Sequence, residues 1–494
     1  MSKSFLHRAR LATGQPLSRR ARRMAWAWVA GATLALAACG GGSDRTPPTV
    51  PAQPSEQAGP DTPATPVPPE VPESPTSPDP TYTVGGTASG VLGTGLVLQN
   101  NGADDLPVAA DGSFTFATLL AAGANYDVTI KSQPLSRVCS VSNASGIVAT
   151  SAVVNVAVTC ATSPARFAYV ANQGSNTIGA YTVDASTGAL SPVAGAPTVS
   201  ANRPFSLAVD PRGRFVYSTI DRSTYAIDAD TGALSPVPGV SVASGRSLAV
   251  DPTGRFAYSL SYDDNAVTAY TIDAATGALR ELAGQAEVAT GPNPVAVAVE
   301  PTGRFAYVTN TYTRSIWTYA IDATTGALSE VAEQPVANGG NAPNSIAIDP
   351  AGRYVYGTIL GSNTVSAYTI DAATGALTLV PGPVVATVAN PFSIAVDPSG
   401  RFVYVTSSEV NSVSGYTIDA STGALSPMPG SPFATGSISL SIAVDPAGRF
   451  AYVANMDSQE VWVYAIDAST GALTRAAVPP IATGPYPYSI VLSK

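Results

Sequence analysis

The chain has 494 residues, 45% of them hydrophobic and only 12% charged, with 44 glycines and 42 prolines. That is ample material for a core, so a wholly disordered chain is excluded. The formal net charge of −9 is uneven: the first 38 residues hold seven bases and no acid, and the remainder carries 18 basic and 34 acidic residues, a net −16. Phosphate contacts need clustered Lys and Arg, so nucleic acid is not an expected partner.

Residues 1–38 read as a signal peptide. A basic stretch leads into Met24–Ala38, 15 residues that are too few to cross a bilayer comfortably and suit a secretory apolar region. The segment ends Leu36-Ala37-Ala38-Cys39, followed by Gly40-Gly41-Gly42-Ser43. This run resembles the lipobox of bacterial lipoproteins, with an ordinary signal peptide and a chance cysteine as the alternative. The resemblance implies lipidation at Cys39. Gly40 is not the aspartate that retains such proteins in the inner membrane, which implies a lipid anchor in the outer membrane, on its periplasmic or outer side. Residues 39–80 then form the lipidated cysteine and a linker rich in Pro, Thr, Ser and Glu. Such composition cannot bury apolar area and predicts an extended, disordered spacer.

Residues 81–162 alternate short strand-like runs (Thr81–Val84, Gly95–Leu98, Ser113–Ala117, Tyr126–Lys131, Val153–Thr159) with turn signals such as Asn100-Asn101-Gly102 and Asp111-Gly112. This pattern predicts a small β-sandwich. Cys139 and Cys160 are the cysteines left after lipidation, and an exported address predicts a disulfide between them. Closing that loop contributes about 3 kcal/mol. The segment resembles Ig-like or carboxypeptidase-regulatory-like modules of bacterial surface proteins, which implies a spacer or adhesion role.

Residues 163–494 are one pattern written seven times, beginning at Arg166, Arg214, Arg255, Arg304, Arg353, Arg401 and Arg449. Each unit reads Arg-Phe/Tyr-x-Tyr, then x-x-Tyr-x-Ile/Val-Asp, Thr-Gly-Ala-Leu, and finally a run like Ser-Ile-Ala-Val-Asp-Pro-x-Gly. Four strand-like segments in 41 to 49 residues make a propeller blade. The fold class is therefore all-β: a seven-bladed β-propeller preceded by the small Ig-like domain. The Asp-Pro-x-Gly and Asp-Ala-x-Thr-Gly-Ala-Leu segments are turns, because Pro presets φ and Gly takes positive φ. Their aspartates recur from unit to unit, with Glu300-Pro301 the one variant, and read as structural. The first unit starts one strand late, and Tyr488–Ser493 is an extra inner-type strand, so the C-terminus is expected to complete the first blade.

Tyr307-Val308-Thr309-Asn310 matches the signature of the bacterial Tyr-Val-Thr-Asn propeller repeats, and Tyr169–Asn172 and Tyr452–Asn455 are near copies. The Thr-Gly-Ala-Leu hairpins look like those of the seven-bladed lactonase family, which includes 6-phosphogluconolactonase-type enzymes. The resemblance implies the fold and, as one possible activity, lactone hydrolysis.

The two turns barely vary between units, whereas the loops at the opposite end vary freely, so a site belongs at that variable end, around the central channel. The residue ahead of the inner-strand serine (or its equivalent) runs Phe205, Arg246, Val295, Asn344, Phe392, Leu440, Tyr488. Asn172, Asn310 and Asn455 end second strands and are further ligand-binding candidates. Blade 2 is seven residues short in its variable loops, which predicts a notched rim. Arg203, Asp221, Arg222, Arg246, Asp263 and Asp264 gather beside it; a neutral deletion with solvated charges is the alternative.

Lactone hydrolysis needs a base for water and a cation or donor for the developing oxyanion. Arg246 or Arg203 fits the second role, and Asp221, Asp263 or Asp264 the first. The only histidine, His7, lies in the leader, so the commonest general base is missing from the mature chain. Asp263-Asp264-Asn265 is a conceivable Ca²⁺ site, with a polar hairpin tip as the plainer reading; no metal and no cofactor are expected. The leading reading is an envelope binding module taking a glycan, peptide or small molecule on the variable face. The alternative is a lactonase, and the third a structural envelope component.

Overall fold

The computed structural model describes residues 80–494 apart from 92–95, 135–136, 163–164, 201, 221, 239–244, 285–286, 332–335, 338–339, 341, 383–384 and 494. The signal peptide, Cys39 and the linker lie outside the described residues.

Two four-stranded sheets form between Val84 and Thr162. One runs in the order Gly112–Thr115, Val84–Ser89, Val153–Thr162, Arg137–Ser142, and the other Asp104–Val108, Leu96–Asn100, Asn125–Ser132, Ser145–Ile147. Alternate residues such as Leu96, Leu98, Tyr126 and Val128 point into one shared core. The expected strand Thr81–Val84 is present in part, as Thr81–Tyr82 paired with Leu120–Ala121, and the longer strand Val84–Ser89, which contains two adjacent glycines, follows it. Bare backbone is needed there, since a Cβ on Gly86 would lie 1.7 Å from the Val156 carbonyl oxygen. Cys139 and Cys160 are directly opposite each other on adjacent antiparallel strands and form a disulfide.

From Phe167 onward seven antiparallel sheets follow in chain order. Blade 4 shows the plan: inner strand Pro294–Val299, second strand Phe305–Asn310, third strand Ser315–Ile321 and outer strand Leu328–Glu330. Every residue of the second strand is buried, because it is covered on both faces, and it therefore reads as a continuous apolar run rather than an alternating one. Closure is as the repeat phase predicts. The C-terminal strand Pro487–Ser493 pairs antiparallel with Phe167–Asn172 and becomes the inner strand of blade 1.

The Arg-Phe/Tyr-x-Tyr motif joins each blade to the next. The ring after the arginine lies on the glycine of the next blade's Thr-Gly-Ala-Leu hairpin, as Phe305 does on Gly375. The tyrosine two residues on reaches the same hairpin: the hydroxyl of Tyr307 donates to the Gly375 carbonyl at 3.0 Å, and Tyr169, Tyr258, Tyr356 and Tyr404 repeat the bond. The arginine covers the outside of the ring, with Arg304 5.3 Å from the Phe305 centroid. A second tyrosine ties each blade backwards, as where Tyr319 donates to the Ala289 carbonyl of blade 3 at 2.8 Å. Burial pushes the phenols of Tyr307 and Tyr319 up, so they stay protonated donors.

Both turns are built on aspartate. Asp397 is buried and accepts from the backbone N–H groups of Ser399, Arg401 and Phe402. In the exposed hairpin, Asp419 accepts from the N–H and hydroxyl of Ser421 and of Thr422.

Two predictions follow from these contacts. At Gly375 φ is +74° and a Cβ would sit 2.3 Å from Phe305 Cδ1, so Gly375→Ala is expected to cost about 2–4 kcal/mol in chemical denaturation. Gly284→Ala, with φ +83° but open space around a Cβ, is expected to cost only the backbone part, about 1–2 kcal/mol. The hairpin aspartates give an acid limit. Hydrogen bonds from Ser421 and Thr422 hold the Asp419 carboxyl down, from the ordinary 3.8 to about 2, and Asp371 is lowered in the same way by Thr374. A carboxyl lowered on folding stabilises fully above its unfolded value, and that contribution disappears as pH falls through its folded value. Melting temperature should therefore hold from neutral pH to about 4 and drop steadily to about 2; a flat profile over that window would refute this role for the aspartates.

Candidate functional site

The inner strands converge at the variable end on a cavity of about 200 Å³. Phe205, Arg246, Val295, Asn344, Phe392, Leu440 and Tyr488, one from each blade, line it. A second layer follows one residue further along each inner segment: Ser206, Ser247, Ala296, Ser345, Ser393, Ser441 and Ser489. This serine layer was legible as a repeated position but not as channel lining. Its register is set by the propeller itself. Ser489 Oγ accepts the Leu207 N–H, Ser247 Oγ the Val297 N–H and Ser441 Oγ the Ile490 N–H, each on the following blade. These bonds satisfy inner-strand N–H groups that face the channel rather than a sheet partner. Each of these oxygens uses one lone pair on the backbone N–H and keeps its hydroxyl proton to donate.

The mouth is asymmetric. Tyr488 stacks on Phe205 with centroids 4.1 Å apart and meets Phe392 edge-on at 5.7 Å. Arg246 lies 5.8 Å from the Phe205 ring and 4.9 Å from that of Tyr262. Across the ring, Asn344 Nδ2 donates to the Phe392 carbonyl at 2.6 Å. Burial pushes the Tyr488 phenol up to about 12, although the Arg246 charge pulls it the other way. Tyr488 is therefore a neutral hydrogen-bond donor at physiological pH. Arg246 is the only charged residue among the described lining residues, and no carboxylate among the described residues is within ion-pair distance of it. Tyr262, which orients Arg246, carried no sequence signal: it sits in a loop that varies from blade to blade.

The remaining candidates divide. Asn310 and Asn455 are fully buried and committed to local bonds, Asn310 accepting from Thr290 Oγ1 and Asn455 from Ser439 Oγ. Asn172 is likewise buried and donates to Thr177 Oγ1. All three lie outside the cavity lining. The expectation that they point to the mouth is corrected: the strand-end amide packs beneath the neighbouring loop instead. Arg203 is exposed at φ +23°, and its N–H donates to Asn176 Oδ1. Asp263 and Asp264 are exposed on the blade 3 hairpin, where Asp264 accepts from Ser261 Oγ at 2.6 Å. Asn265 Oδ1 accepts the Asn293 N–H, so that oxygen ties two loops together. Asp221 lies outside the described residues.

Blade 2 is short at this end. Its second and third strands, Phe215–Ser218 and Ser223–Ile227, have four and five residues, against six and seven in blade 4. Phe205 and Arg246 precede their inner strands, Leu207–Val209 and Leu248–Val250, while the other five mouth residues lie within theirs. Phe205 and Arg246 thus stand on segments outside the sheets, whereas Phe392 and Tyr488 are held within strands.

Fold and channel together define a seven-bladed propeller with one small polar chamber on its axis. The sequence profile described as "Lactonase, 7-bladed beta-propeller" matches residues 149–239, 223–391 and 387–488. The chain belongs to that lactonase family. Solved structures with the same fold include a candidate 6-phosphogluconolactonase from Bacteroides fragilis, 20% identical, with 66% of this chain and 98% of that one covered at a TM-score of 0.57. The periplasmic gluconolactonase PpgL of Pseudomonas aeruginosa is 17% identical, with coverage of 66% and 99% and a TM-score of 0.57. A protein from Lactobacillus plantarum is 21% identical, with coverage of 67% and 100% and a TM-score of 0.56. A search of curated proteins returns no match.

Proposed function

We propose that this chain is a lactone hydrolase whose site is the channel mouth. Arg246 carries the proposal: it is an arginine without an acidic partner among the described residues, set in the axial cavity of a lactonase-family propeller. In the reaction, water adds to the lactone carbonyl carbon and charge develops on the carbonyl oxygen. The Arg246 guanidinium stabilises that oxyanion. The acyl C–O bond then breaks, the ring oxygen takes up a proton, and a hydroxy acid results. The described lining holds no carboxylate, so the base that deprotonates water comes from the rim, where Asp221, Asp263 and Asp264 are the candidates.

That same lack of a carboxylate or histidine in the described lining favours a second reading, a binding module that holds its ligand without turning it over. We further propose that the protein is tethered in the bacterial envelope. The lipobox-like Leu36-Ala37-Ala38-Cys39 supports the tether, and the Ig-like reading of residues 81–162 supports a spacer.

The purified protein is expected to hydrolyse members of a panel of sugar and aromatic lactones faster than buffer does. Arg246→Ala should lower kcat/KM about 100-fold with the melting temperature unchanged. A folded protein with no turnover above the uncatalysed rate would leave the binding module. In a bacterial host, Cys39→Ser should abolish incorporation of labelled fatty acid and release the protein from the membrane fraction; retention of label would refute lipidation at that residue.

A further inference from the structure

We infer that the channel mouth is a carboxylate site, built to hold a small hydroxylated organic anion more tightly than the neutral molecule of the same skeleton. The inference rests on the lactone reading only for the identity of the anion, which there is the ring-opened acid.

The electrostatics are one-sided. Arg246 brings the only full charge of the described lining. Among the described propeller residues the ion pairs, Arg214 with Asp210 and Arg353 with Asp349, involve only the structural turns. Arg246 faces aromatic rings instead, Phe205 at 5.8 Å and Tyr262 at 4.9 Å. Rings leave the in-plane N–H groups of a guanidinium unspent, and that planar fork matches a carboxylate. The neighbours add donors: the neutral Tyr488 phenol, and the hydroxyls of Ser247, Ser441 and Ser489, whose oxygens already accept from backbone.

The rest of the chamber suits a hydroxylated carbon chain. Asn344 spends its amide N–H on the Phe392 carbonyl, which leaves its own carbonyl oxygen to accept from a ligand hydroxyl. Phe205, Phe392 and Tyr488 line the chamber with aromatic carbon against which ligand C–H groups can pack. About 200 Å³ limits the occupant to a molecule of roughly one sugar unit. A lactone presents only a dipole to Arg246, whereas the acid presents a full charge in the same place, so the product is retained relative to the substrate.

Isothermal titration of the full protein with gluconate, galactonate and mandelate tests this, with glucose and galactose as neutral controls. At least one acid should bind, the sugars at least tenfold more weakly. Arg246→Gln should weaken the acid at least tenfold, Arg246→Lys should give an intermediate value, and about 1 M salt should weaken binding to the parent protein. A melting curve shows whether each variant is folded, and Asn344→Leu gives an independent second probe that should weaken the sugar acids and spare mandelate less than twofold. Acid binding without lactone turnover would uphold this inference and remove the hydrolase. Turnover with no acid bound would overturn the inference and leave the hydrolase standing, and acid binding unaltered in folded Arg246→Gln would overturn the inference whatever the turnover.

Discussion

An aromatic ring resting on a neighbour's glycine sets the spacing between blades. It recurs seven times, from Phe167 on Gly232 to Phe450 on Gly188. A side chain on the glycine would collide with the ring, so the hairpin must carry Gly there, and its positive φ suits the tight return from third to outer strand. At five of the seven interfaces the tyrosine two positions after the ring also bonds the same glycine's carbonyl, and the arginine before the ring covers its open face. Two motifs that look independent along the chain are thus one contact. Because the blades form a closed circle, the contact has to be satisfied nearly identically everywhere, which accounts for the near-literal repetition.

Those contacts gather at one end of the blades, leaving the other end free to differ. The inner strands carry the rigidity of the ring to the channel and present one residue per blade at equal depth. Only position is imposed there; identity is not, so Phe, Arg, Val, Asn, Leu and Tyr all occupy equivalent places. A chemically uneven chamber on a symmetric frame is the means by which one propeller fold serves many chemistries.

The sequence made the blade count, the closing strand and the seven mouth residues legible, because each follows from the repeat register, which the inter-blade contacts preserve. It was less informative wherever tertiary contact overrides local pattern. Val84–Ser89 contains two glycines and has little strand propensity, yet it pairs because Gly86 lets the Val156 backbone approach. Asn172, Asn310 and Asn455 are polar residues at strand ends, which read as site residues, but they are buried outside the cavity lining and each bonds a neighbouring hydroxyl. Tyr262 reaches Arg246 from a hairpin of the same blade, and nothing in the repeat marks that reach. The disulfide was legible from the two cysteines of residues 81–162, and strand register places them opposite each other.

The strand Pro487–Ser493 bears on how the protein is made. It supplies Tyr488, which touches two other mouth aromatics, and Ser489, which receives the Leu207 N–H. Synthesis runs from the N-terminus, so three strands of blade 1 and all of the other six blades emerge before the ring has its last inner strand. Until residues 487–493 leave the ribosome, Phe167–Asn172 exposes an unpaired edge and the chamber lacks part of its wall. Closing the ring and completing the chamber wall are therefore a single event.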